Sequence, residues 1–166
     1  MNSLGLIIGR FQPLHLGHQL LIEATLQENS SSLILIGSIN KTDSQNPYSY
    51  DLRKQLIEEI YEEQISIGAL PDFPSDVQWK NYILSYIPKE TKHITLYCGD
   101  IKNDSAVISL LSLQSTLPFK IKVQEIPRSI IPVSATQVRK WIQEKNTSQL
   151  QKYLGEKTLL FLGLEL

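Results

Sequence analysis

The chain has 166 residues, 42% of them hydrophobic and 20% charged, a size that suits one domain with a sizeable core and argues against a two-domain enzyme. With 16 Lys and Arg against 17 Asp and Glu, the formal net charge of -1 excludes the broad attraction on which non-specific nucleic-acid or anionic-membrane binding depends, so any phosphate site must be local. The lone cysteine, Cys98, cannot form an internal disulfide, no Cys/His cluster has zinc-site spacing, and the apolar runs are too short for a leader or a bilayer span; a soluble, reduced, cytoplasmic setting is expected.

The apolar run from Leu4 to Ile8 predicts a first strand. A helix-length segment beginning near Gly17 follows, with Leu20, Leu21, Ala24 and Leu26 as its apolar stripe and Gln19, Glu23 and Gln27 as its wet side. A second apolar run, Leu33 to Ile36, completes a β-α-β unit, and uninterrupted apolar strands are what a parallel pair covered on both faces requires. Ser38 to Ser49 reads as a polar loop and Tyr50 to Gln64 as a helix, from Leu52, Leu56, Ile57, Ile60 and Tyr61 at helical spacing.

Two prolines and a glycine make Gly68 to Pro74 irregular, and a short helix around Trp79 to Tyr86 comes after it. Ile94 to Cys98 and Phe119 to Ile126 read as strands, with Cys98 expected to be buried and inert. Ser134 stands at an N-cap, and Val138, Trp141 and Ile142 mark the apolar side of the next helix. The run Leu159 to Leu164 is either a packed terminal element or a subunit contact, the second of which would make a homo-oligomer. No repeat or linker divides the chain, so residues 1–166 are expected to form one α/β domain: a Rossmann-like open, mostly parallel sheet with helices on both faces.

In such a sheet, ligands collect beyond the carboxyl ends of the strands, near the switch in strand order. The first strand ends at Gly9-Arg10-Phe11-Gln12-Pro13-Leu14-His15-Leu16-Gly17-His18. His15 and His18 can each donate a hydrogen bond without a full charge, Arg10 adds a fixed charge, and Gly17 lets the backbone approach closely, all just before helical amides that favour anions. The segment suits a polyphosphate. Two histidines three apart could also share a metal ion, but no third imidazole or nearby carboxylate in the segment completes a zinc site, so no metal ligand is assigned. Neither a G-x-x-x-x-G-K-[ST] loop nor a G-x-G-x-x-G turn is present, and there is no serine nucleophile elbow.

The ten-residue segment resembles the adenylyltransferase signature with its H-x-G-H core, in the form carried by nicotinamide mononucleotide adenylyltransferases. Ser134-Ala135-Thr136-Gln137-Val138-Arg139 is similar to the second signature of that superfamily. Asn46-Pro47-Tyr48 with Arg53 resembles the family's segment after strand two, and Leu70 to Pro74 with Trp79 its pyridine-side segment. Gly99-Asp100 with Lys102, Asp104 and Ser105 is similar to a segment of bacterial members that carry a Nudix hydrolase domain, an activity that does not come with the stretch matched here.

The resemblance implies transfer of AMP from ATP to nicotinamide mononucleotide, giving NAD and pyrophosphate by in-line attack without a covalent intermediate. It implies His15, His18 and Arg139 as catalytic residues, and Gly9, Arg10, Phe11, Gly17, Ser134 and Thr136 around ATP. Trp79, Asn46, Arg53 and Asp72 fall on the acceptor side, Asp100 and Asp104 have either a site or a plain loop role, and magnesium would be held chiefly by ATP phosphates. Where family members often carry a basic residue before the Asn-Pro step, this chain has Ser44-Gln45, which leaves the clamp on the acceptor phosphate unassigned. Rival readings are another small-acceptor enzyme, such as phosphopantetheine adenylyltransferase, and an ATP- or NAD-binding module without turnover.

Overall fold

A computed structural model of the chain describes residues 3–164. Five parallel strands, β1 (Ser3–Gly9), β2 (Ser31–Gly37), β3 (Ser66–Leu70), β4 (His93–Cys98) and β5 (Lys120–Glu125), form one sheet in the order β3-β2-β1-β4-β5. Between and after them run α1 (Leu16–Glu28), α2 (Tyr50–Tyr61), α3 (Asp76–Leu84), α4 (Ser105–Ser112), α5 (Ala135–Gln143), α6 (Thr147–Tyr153) and α7 (Glu156–Phe161). Strand order reverses between β1 and β4, so the crevice beyond their carboxyl ends is where a ligand is expected.

Register divides the apolar residues between two faces. Leu6 lies opposite Leu33 and Leu96, and this leucine face packs on Ile83 of α3 and on Val107 and Leu110 of α4. Ile7 lies opposite Ile34, and that isoleucine face packs on Ile22 of α1 and on Leu56 and Ile57 of α2. Because successive strand residues point to opposite faces, a strand covered on both must be apolar throughout, which is why β1 and β2 are plain in the sequence. A third cluster, Val133, Val138, Leu150 and Leu154, joins α5 to α6. Among the described residues no helix is long and apolar enough to cross a membrane.

Three expectations need correction. Gly68 to Leu70 is not irregular but belongs to β3, the edge strand beside β2; only the chain from Pro71 onward leaves the sheet. Gly68 is needed there because a Cβ would lie 2.5 Å from the Tyr86 ring, whose hydroxyl donates to Ala69 O (2.9 Å) and accepts from Ala69 N (3.1 Å). On α1 the fully buried residues are Ile22 and Thr25, and Gln19 is half-buried against Gly155 because the C-terminal helices cover a side that sequence assigned to water. The helix predicted from Tyr50 to Gln64 ends at Tyr61 and tightens into a 3-10 turn. Helices α4 and α6 were not anticipated.

Candidate active site

A cavity of about 760 Å³ opens beyond the carboxyl ends of β1, β2 and β4. It is walled by Gly9 to Gln12, by His15, Gly17 and His18 at the start of α1, by Ser134 to Thr136 and Arg139 at the start of α5, and by Asp104 to Ala106 at the start of α4. Three helix N-termini therefore face one space, and their dipoles favour negative charge there.

The two imidazoles are fixed by backbone. His15 is the N-cap of α1, its Nδ1 accepting the His18 amide at 3.3 Å, while His18 Nδ1 accepts the His15 amide at 3.4 Å. Their rings stack at 3.7 Å between centroids, and Gly17 leaves them room, since a Cβ there would lie 3.1 Å from the His15 ring. An Nδ1 that accepts an amide proton carries none itself, so in the neutral ring the proton sits on Nε2. Burial, reinforced by the charge of Arg128, lowers the His15 pKa to about 4. Burial, then His15 and Arg128, holds His18 well below the ordinary value. At neutral pH the pair is thus two uncharged donors.

Phe11 takes a left-handed φ of 52° and tucks its ring beneath Gly9 and against His18, with ring centroids 4.8 Å apart. Gln12, 1% exposed, exchanges two hydrogen bonds with the backbone of Tyr48 (2.9 and 3.0 Å), and its own carbonyl accepts Arg139 Nη1 at 2.8 Å. Arg139 Nη2 also donates to Thr136 Oγ1 at 3.2 Å. Ser134 caps α5 in a reciprocal box with Gln137, as its place before the helix predicted. Gln12 was visible in the motif, but its role as a hub between three segments was not.

Asn46 and Arg53 stand behind the wall and do not line the cavity. Arg53 is 2% exposed, and its guanidinium donates to the carbonyls of Ser49 (3.1 Å), Arg10 (2.7 Å) and Gly37 (2.9 Å), with no carboxylate partner among the described residues. Its uncompensated charge adds to the positive potential at the end of β1. Asn46, buried, accepts Arg10 Nη1 at 3.5 Å and donates to Asp43 at 2.9 Å, so it orients Arg10.

The opposite wall comes from the loops after β2 and β3. Trp79 faces the cavity while packing on the leucine-face core, so it is a core aromatic with part of its ring on the cavity wall. Asp72 lines the same wall, accepts Ser38 Oγ at 3.1 Å and pairs with Lys41 Nζ at 2.9 Å. Lys41 had no signal in the sequence beyond its place in a polar loop.

Asp100 lies off the cavity and folds its own turn, accepting the amides of Lys102 and Asn103 (3.0 and 3.2 Å). Asp104 lines the cavity, yet its Oδ1 caps α4 through Ala106 and Val107 (3.0 and 3.2 Å), and burial raises its pKa. Cys98 is 2% exposed and burial pushes its thiol up to about 11, so it is an inert piece of wall, as expected. Among the described residues no three His, Cys, Asp or Glu side chains gather to hold a metal ion.

The chain that builds this cavity at a parallel-sheet switch point is similar to known proteins. The model of the cytidylyltransferase-like family matches residues 6–148, and the chain belongs to that family. A nicotinamide-nucleotide adenylyltransferase of Thermococcus sibiricus is 31% identical over 150 residues, 86% of this chain and 75% of that protein. A crystal structure of NadR protein in complex with NAD and AMP-PNP superposes with a TM-score of 0.67 at 26% identity, over 89% of this chain and 44% of that one. A bifunctional NMN adenylyltransferase/ADP ribose pyrophosphatase from Francisella tularensis gives 0.65 at 25% identity, over 84% and 42%. The chain spans about half the length of several further curated relatives.

Proposed function

We propose that the chain transfers AMP from ATP to nicotinamide mononucleotide, forming NAD and pyrophosphate. The observation that carries this reading is the backbone-locked pair of neutral imidazoles, flanked by Arg10 and Arg139, in a cavity whose far wall offers an indole face. The names of the relatives, and the NAD and AMP-PNP held by the NadR neighbour, support the same substrates.

A phosphate oxygen of the acceptor attacks the α-phosphorus of ATP. The new P–O bond forms as the bond from the α-phosphorus to the α–β bridging oxygen breaks, and pyrophosphate leaves with the electron pair. No side chain need form a covalent bond, so positioning and charge stabilisation carry the catalysis. His15 and His18 direct Nε2–H groups at the reacting phosphates, and Arg139, aligned by Gln12 and Thr136, clamps the triphosphate with Arg10. Gly9, Phe11, Gly17 and Ser134 shape the cradle. Trp79 stacks on the pyridine ring and Lys41, beside Asp72, meets the acceptor phosphate, the role that Ser44-Gln45 left vacant.

The Asp104 carboxylate on the cavity wall, already engaged as a helix cap, does not make a magnesium cage, so the fitting arrangement is magnesium carried in on the ATP phosphates. There it neutralises phosphate charge. The test is incubation with ATP, magnesium and, in turn, nicotinamide mononucleotide, nicotinate mononucleotide and phosphopantetheine, with pyrophosphate measured and the product identified by chromatography. NAD is expected; pyrophosphate release with neither pyridine mononucleotide would overturn the reading.

A further inference from the structure

The loop from β5 to α5 carries an arginine that neither signature contains. Ile126 N donates to Cys98 O (2.9 Å), Ile130 N to Pro127 O (3.1 Å) and Val133 N to Ile131 O (2.8 Å), so this loop hangs from the end of β4 and is folded by its own turns. Arg128 sits in the turn and lines the cavity. Its stem crosses Gly99 so closely that a Cβ there would lie 3.0 Å from Arg128 Cγ and 3.3 Å from Nε. Glycine at the end of β4 thus leaves a groove in which the arginine lies.

Arg128 differs from its cationic neighbours in having no hydrogen-bond or ion-pair partner among the described residues. Arg139, Arg10 and Lys41 each donate to the protein or form an ion pair, whereas among the described residues Arg128 makes no hydrogen bond and no ion pair. The two nearby carboxylates accept backbone amides instead: Asp100 takes Lys102 and Asn103, and Asp104 takes Ala106 and Val107. All five guanidinium N–H groups therefore remain for a ligand, in a fork that matches phosphate oxygens.

Position says which phosphate. Lys41, Asp72 and Trp79 form the wall from β2 and β3, the imidazole pair stands at β1, and Arg128 lies beyond β4 on the far side. In-line displacement puts the incoming oxygen and the leaving group on opposite sides of the α-phosphorus. An acceptor held at the β2–β3 wall directs the leaving group away from that wall. Resting on the adenylyl-transfer reading for its orientation, we infer that Arg128 is a catalytic residue that grips the outer phosphates of ATP and the departing pyrophosphate. Its field at His15 and His18, which disfavours their protonation, is consistent with a guanidinium close to the same phosphates.

The test is calorimetric binding of inorganic pyrophosphate and, separately, of AMP, in magnesium, to the parent chain, Arg128→Ala and Arg128→Lys. Pyrophosphate affinity should fall ten- to a hundredfold in Arg128→Ala, with partial recovery in Arg128→Lys, while AMP affinity changes less than threefold. In turnover, kcat should fall while the KM for nicotinamide mononucleotide stays within twofold. His15 and His18 should titrate at higher pH by NMR in Arg128→Ala, a shift that loop packing alone would not give. Pyrophosphate affinity equal in parent and Arg128→Ala, or a loss confined to AMP, overturns the proposal. Should the parent make no NAD, the adenylyl-transfer reading fails, while the pyrophosphate titration still decides the role of Arg128.

Discussion

The wall that carries His15, His18 and Arg139 is fastened to backbone, whereas the wall that carries Lys41, Asp72 and Trp79 is fastened largely by side chains near the surface. On the first, every orienting hydrogen bond of the imidazoles and one of those from Arg139 runs to a main-chain atom. On the second, Lys41 and Asp72 hold one another through an ion pair whose side chains are 54% and 39% exposed. Phosphate chemistry requires donors that do not move as charge develops, while an acceptor pocket can be altered one contact at a time. Substitutions on the first wall should therefore damage catalysis, and those on the second should change which acceptor is used.

His18→Ala gives the largest expected effect, a kcat lower by roughly 10²–10³, the usual loss for one preorganised donor to developing charge. Steady-state rates on folded protein check this; a kcat within a few-fold of the parent would break the contrast between the walls. Arg139→Ala comes next, raising the KM for ATP about tenfold or more and that for the acceptor much less, because its guanidinium is aimed from Gln12 and Thr136. A rise in the acceptor KM alone would move Arg139 to the other wall.

On the acceptor wall, Trp79→Ala should raise the acceptor KM about tenfold with little change for ATP, given base–aromatic stacking of roughly 1–3 kcal/mol. In a Trp141→Phe background, nicotinamide mononucleotide should quench Trp79 fluorescence and ATP should do so much less. Trp141 stacks on Tyr153 at 5.3 Å in the third cluster and does not line the cavity, so its replacement leaves the site intact. Lys41→Ala should raise the same KM by a smaller factor and leave thermal stability nearly unchanged, since an exposed ion pair contributes ~0–1 kcal/mol. Equal effects of Lys41→Ala on ATP and acceptor would erase the division of labour.

The contrast also explains what could be read beforehand. β1 and β2 were legible because strands covered on both faces must be apolar throughout, and the two signatures were legible because each is local. β3 was not, since Ser66, Gly68 and Ala69 offer little bulk and its edge is finished by Tyr86 from another segment. α4 has Ile108 and Leu111 exposed beside buried Val107 and Leu110, so its apolar pattern runs round the helix and marks no face. Arg53 was found but misplaced, because only folding reveals that its guanidinium N–H groups are engaged by three carbonyls behind the wall. Lys41 and Arg128 come from loops whose neighbours in the cavity are distant in sequence.

Acid should loosen the first wall before the second. The pKa of His15 is lowered from 6.5 to about 4 on folding, so the unfolded chain binds the proton more readily across that interval. Its contribution is present in full above pH 6.5 and is lost as pH falls toward 4, a change of ~3 kcal/mol for a shift of this size. Thermal unfolding between pH 7.5 and 4.5 should show this slope, and His15→Asn, which keeps an N-cap acceptor without a titrating ring, should flatten it. An unchanged slope in His15→Asn would assign the acid sensitivity elsewhere.

The central claim, that the phosphate donors are neutral imidazoles locked by backbone amides, is tested most directly by long-range proton–nitrogen NMR of the histidine rings at neutral pH. His15 and His18 should both appear as the neutral tautomer protonated at Nε2, with Nδ1 bare, and His15 should remain so down to about pH 5. An imidazolium signal from either residue at neutral pH, or a proton on either Nδ1, would contradict the account.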